Sequence, residues 1–190
     1  MRRLALTLAV LTAFGFAAGP VYAYSYAASG AEPLIDGREA LFGAAAAGDW
    51  TKAEAALAAM KPDLDYLEGH EAPGIEVAFS GAIADKDAKA LQAAFVRAAT
   101  GEIERRINGA RDNLADYQTA KVLVVKAQRF YTAVAADLPP EIGTAVGDGL
   151  KRALDAIGNP GVFGVGARKP DPAAFATARA DIFKALGLTP

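Results

Sequence analysis

The chain has no cysteine among its 190 residues. That excludes disulfides, thiolate zinc sites, iron–sulfur clusters and Cys-x-x-Cys-His haem attachment. It has one histidine, His70, so the paired Glu-x-x-His motifs of di-iron bundles are absent. Serine is scarce beyond the N-terminal segment, at Ser25, Ser29 and Ser80, and no Gly-x-Ser-x-Gly elbow exists. There is no basic excess, with 20 Lys and Arg against 22 Asp and Glu. That argues against a nucleic-acid stripe and against a polybasic membrane patch. With the constellations of catalysis missing, the residues predict a protein that is not an enzyme.

Long apolar runs are also absent, except at the start. Arg2 and Arg3 precede the uncharged stretch Leu4 to Gly19, and Val21-Tyr22-Ala23 offers a cleavage site. This predicts a secretory signal over 1–23, with a retained anchor as the alternative. The run is short of the roughly 20 apolar residues a spanning helix needs. The mature chain is then exported to the periplasm, with 18 basic against 22 acidic residues and no transmembrane segment. Residues 24–35 read as a flexible lead-in, and 36–190 as a single domain large enough to bury a core without staples.

What remains is rich in alanine and poor in β-branched runs outside Val122–Val125. This predicts helix nearly everywhere. Asp36-Gly-Arg-Glu39 resembles a capping box. Asp49, Asp87 and Asp171 read as further caps, and Gly48 and Gly187 as stops. Pro62 opens a helix that Pro73 interrupts. No proline falls between Lys89 and Asp137. Across that stretch Ile103, Ile107, Ala110, Leu114, Tyr117, Val124, Ala127, Tyr131, Val134 and Leu138 keep alternating three and four spacing, one seam on a long helix. A faint repeat offset by 38 residues relates Gly48-Asp49 to Lys86-Asp87. The prediction is an all-α, up-and-down bundle of helical hairpins with one long central helix.

The lone histidine lies in DLDYLEGHEAPGIE, Asp63 to Glu76. Helical spacing sets Tyr66 and His70 on one face. A break at Pro73 could swing Glu76 back toward His70. Asp63, Tyr66, Glu68, His70, Glu71 and Glu76 therefore form a candidate site for a transition metal, iron or copper. The plainer reading is acidic residues complementing a helix start. A second cluster, Glu102, Glu104, Asp112, Asp116 and Tyr117, has Arg105, Arg106 and Arg111 close by and reads as surface ion pairing. Lys121, Lys126, Arg129, Lys151 and Arg152 read as a solvated face. The Gly/Pro-rich loop from Gly158 to Pro170 carries Phe163, Arg168 and Lys169 as a candidate partner- or anion-binding set. It matches no P-loop, so no nucleotide is expected.

The Ala-Gly-Asp hairpin AAAAGDWTKAEAAL, followed by DYLEGHEAPGIEVAF and a second Asp-capped hairpin, resembles the helical extracytoplasmic regions that accompany bacterial iron permeases. The likeness covers about Ala45 to Arg106. It implies a periplasmic partner in metal uptake, a membrane permease or envelope protein, with Glu68, His70, Glu71 and Glu76 as its residues. The His-x-x-Glu motif of imelysin-type iron-uptake proteins is not present, since position 73 is proline. The expectation is a non-enzymatic metal-handling protein. The alternative is an interaction module that docks an envelope complex without a small ligand.

Overall fold

A computed structural model describes residues 32–161 and 163–189. The expected signal over 1–23, and the lead-in up to residue 31, lie outside them. The described residues form an all-α bundle: α1 (Pro33–Asp36), α2 (Arg38–Ala46), α3 (Trp50–Ala59), α4 (Lys61–Gly69), α5 (Ile75–Ala84), α6 (Ala88–Asp112), α7 (Tyr117–Val134), a 3-10 turn (Ala135–Asp137), α8 (Pro140–Ala156) and α9 (Pro172–Leu186). None of these helices is long and apolar enough to cross a membrane.

Aspartate caps set most of the boundaries. Asp49, Asp87 and Asp171 accept the N–H of Lys52, of Lys89 and Ala90, and of Ala174. Each satisfies donors that a helix start leaves open. Asp36 departs from expectation. It ends α1 and accepts the Glu32 N–H at 3.0 Å, so α2 starts on Gly37 without a side-chain cap. The fold also begins earlier than residue 36, because Glu32 and Leu34 are buried.

The stretch expected as one helix from 89 to 137 is two. Asp116 caps α7 through Gln118 and Thr119, and Asn113 closes α6 by donating from its amide to the Gly109 carbonyl. Caps at both ends outweigh the absence of proline. The seam survives the break, because Ile103, Ile107, Ala110, Val124, Ala127 and Val134 are all buried in one core. The second main pairing, α8 on α9, is close enough that a Cβ on Gly149 would meet Ile182 Cγ1 at 2.5 Å.

The 38-residue repeat is visible in the turns. Asp49 N–H donates to the Ala44 carbonyl at 2.9 Å, and Asp87 N–H to Ala82 at the same distance. Where the first copy has Gly48 at φ 74°, the second has Lys86 at φ 53°. A left-handed lysine costs roughly 1–2 kcal/mol that glycine does not.

Candidate functional site

The helix α4 carries Asp63 to Gly69, then the chain turns through Gly74 at φ 82° into α5. That turn distributes the expected ligands. Glu68 accepts the Gly74 N–H at 2.6 Å and the Glu76 N–H at 3.0 Å, one through each oxygen. These bonds hold its carboxyl below the usual range, that from Glu76 most. Glu68 is thus the cap of α5. Glu76 does not swing toward His70. Its carboxylate faces Lys61, whose Nζ lies 3.4 Å away and also pairs with Asp65. Hydrogen bonding between the two carboxyls holds Asp65 low and pushes Glu76 up.

His70 stacks on Tyr66, with ring centroids 4.3 Å apart and planes 12° from parallel. Its Nδ1 lies 2.7 Å from the Tyr66 carbonyl oxygen. A carbonyl only accepts, so Nδ1 carries a hydrogen, and Nε2 is the ring nitrogen left outside that bond. Asp63 and Glu71 turn the other way, into the bundle. Each has one buried oxygen without a hydrogen-bond partner among the described residues, Oδ2 and Oε2. Burial pushes both carboxyls up, against the pull of the Arg105 guanidinium. Among the described residues, no three His, Asp or Glu side chains are placed to hold a metal ion.

The two acidic clusters do meet, through Arg105. Its guanidinium lies 4.5 Å over the Tyr66 ring and pairs with Glu102 at 2.7 and 2.8 Å. Glu102 is 0% exposed and belongs to the interior, not to a surface ion pair. Its neighbours Arg106, Glu32 and Lys126 are buried too. Arg106 Nη2 reaches Glu32 at 2.9 Å and Glu102 at 3.2 Å, and Lys126 Nζ reaches Glu32 at 2.7 Å. Lys126, expected on a solvated face, is 5% exposed. The network ties α1 to α6 and α7, with Asp63 and Glu71 at its rim. Burial pushes Glu102 up, and Arg105 and Arg106 pull it back.

The other expected residues have separate tasks. Asp116 caps α7, Asp112 pairs with Arg111 at 2.8 Å, and burial pushes Glu104 up despite the nearby Arg179. Tyr117 lies beneath Lys121. Tyr131, expected on the apolar seam, donates its hydroxyl to the Gly143 carbonyl at 2.8 Å.

The loop after α8 is built rather than loose. Asn159 and Arg168 exchange backbone hydrogen bonds of 2.8 and 2.7 Å. Arg168 pairs with Asp155 at 2.8 Å. A Cβ on Gly161 would meet the Val165 carbonyl oxygen at 2.5 Å, so only glycine closes the loop this tightly. Inside this frame Phe163 sits at φ 51° and is 104% exposed, with Val165 also exposed. The chain matches no protein-family model, no curated protein and no solved structure.

Proposed function

We propose that the chain is an exported, non-catalytic interaction module that docks a protein of the cell envelope through its Gly158–Pro170 loop. The observation that carries this is Phe163. A bulky residue at positive φ is strained by about 1–3 kcal/mol, and here the strain presents an aromatic ring to water. Phenylalanine and its neighbour Val165 are the kind of anchor that gains most when a partner pocket covers it. The signal-like segment over 1–23 supports an envelope location.

The test places a photo-crosslinking phenylalanine analogue at position 163 of the full chain, in the cells that make it. A discrete heavier adduct, absent when the probe sits at exposed Glu54, supports docking through this loop. No adduct, or the same products from both positions, overturns it.

A metal-handling role is the second reading, favoured by the free Nε2 of His70. An imidazole oriented by a backbone carbonyl is how proteins present a histidine ligand. Iron or copper would then be bound through His70, for transfer to a permease. A melting-temperature rise with one of these ions, lost in His70→Ala, supports it. No rise with either ion removes it.

A further inference from the structure

A cleft of about 590 Å³ lies beneath the loop, where α8 and α9 meet. Four cations line it: Lys151 and Arg152 from α8, Arg168 and Lys169 from the loop. Only two carboxylates line it with them, Asp155 and Asp171. Asp171 is engaged by the Ala174 N–H of its own helix. The partners of Lys151 and Arg152 are Asp148 and Asp181, at 2.9 and 2.8 Å, and neither lines the cleft. Among the described residues Lys169 has no ion pair. The lining itself thus sets four cations against two carboxylates, and Lys169 is the cation that no carboxylate among the described residues engages.

The backbone holds these cations in place. Gly158 has φ 80°, and a Cβ there would run into the Arg168 carbonyl and meet the Lys169 carbonyl at 2.9 Å. The chain is pressed against the end of α8 at this point, and Asp171 N–H donates to the Ala156 carbonyl at 2.8 Å. Arg168 and Lys169 follow from that contact. The surface pairs holding Lys151, Arg152 and Arg168 are individually weak and exchangeable. An anion that engages several of these cations at once gains charge-assisted hydrogen bonds. The cleft is larger than a bare phosphate needs and falls within the size range of small-ligand sites. Ala156 and Ala174 supply apolar floor.

We propose that this cleft binds a small organic anion with two or more negative charges, carried on phosphate or carboxylate groups. The proposal does not rest on docking by Phe163, and its test leaves that residue untouched. Titration calorimetry of the full chain uses pyrophosphate and citrate as probes, at ionic strength matched with sodium chloride. Saturable one-site binding of either probe is expected, and the probe that binds distinguishes phosphate from carboxylate. Lys169→Ala and Arg152→Ala each weaken it by roughly tenfold or more, as loss of a charged hydrogen bond implies. Lys89→Ala, an exposed lysine on another helix, leaves it unchanged. Absence of binding by both probes at millimolar concentration overturns the site. So does binding that Lys89→Ala weakens as much as Lys169→Ala. Binding to vesicles of phosphatidylglycerol and phosphatidylcholine with none to the free anions also overturns it, in favour of a lipid surface.

Discussion

Two arginine–carboxylate pairs have nearly the same length and stand in opposite surroundings. Arg106 meets Glu32 at 2.9 Å in the interior, and Arg168 meets Asp155 at 2.8 Å beside the loop. In the first, both side chains are almost fully buried. In the second, both are mostly in water. Geometry alone would rank them together. Solvation separates them, because a charge taken out of water must be met by protein partners, whereas a charge left in water is already met. The interior pair is therefore part of a network that includes Glu102, Arg105 and Lys126, and each member depends on the rest. The loop pair is a local latch that water can replace.

The largest expected effect comes from removing one charge of the network. Glu102→Gln keeps the shape and leaves Arg105 and Arg106 short of a counter-charge. Breaking a buried pair this way costs about 3–5 kcal/mol. Urea denaturation measures it as a lower midpoint at unchanged slope. A loss below about 1 kcal/mol, the range of surface pairs, would erase the distinction between the two regions.

The bundle was legible in the sequence because caps and seam act locally. Asp49, Asp87 and Asp171 do what their positions predict. Asp116 was harder to read, since no proline marks the break and the signal is spread over the weak helix formers Asn108, Gly109, Asp112 and Asn113, with Asn113 ending α6 and Asp116 starting α7. The network was harder still. Glu102 and Arg106 continue the spacing of Leu91, Phe95 and Ala98 along the buried face of α6, which is a signal in the sequence. Their partners Glu32 and Lys126 come from distant segments, and no local rule pairs them. The same limit applies to the candidate ligands. Spacing placed Tyr66 and His70 on one face, and the stack between them agrees. Which way Glu76 turns depends on Lys61, fifteen residues back.

Glu71 sits at the rim of the network and sharpens the comparison with a smaller effect. Burial raises its carboxyl above the ordinary value of 4.5, with Glu102 adding to the rise and Arg105 and His70 opposing it. The unfolded chain has the ordinary value, so the folded protein holds this proton more tightly. Stability then falls as pH rises from the ordinary value through the raised one. Glu71→Gln removes that loss. The variant melts at the same temperature as the parent well below pH 4.5 and higher than the parent at neutral pH. The side chain is only partly buried, so screening limits the gain to under about 1 kcal/mol. A variant less stable than the parent at neutral pH would show that the Glu71 charge supports Arg105 rather than opposing folding.

Asp155→Asn carries the smallest global effect and the most local one. The pair with Arg168 lowers the Asp155 carboxyl through its hydrogen bond, yet water takes over when it is lost. The melting temperature is expected not to change measurably. The loop should respond where the whole molecule does not, because its opening is a separate, low-energy event. Amide hydrogen exchange at Asn159 and Arg168, which pair across the loop, is expected to quicken several-fold. Exchange along α6 and α7 stays as in the parent. If Asp155→Asn lowered global stability as Glu102→Gln does, the loop latch would belong to the same cooperative unit as the interior. An apolar loop tip held that firmly would then meet a partner already shaped, with little ordering left to be done on docking.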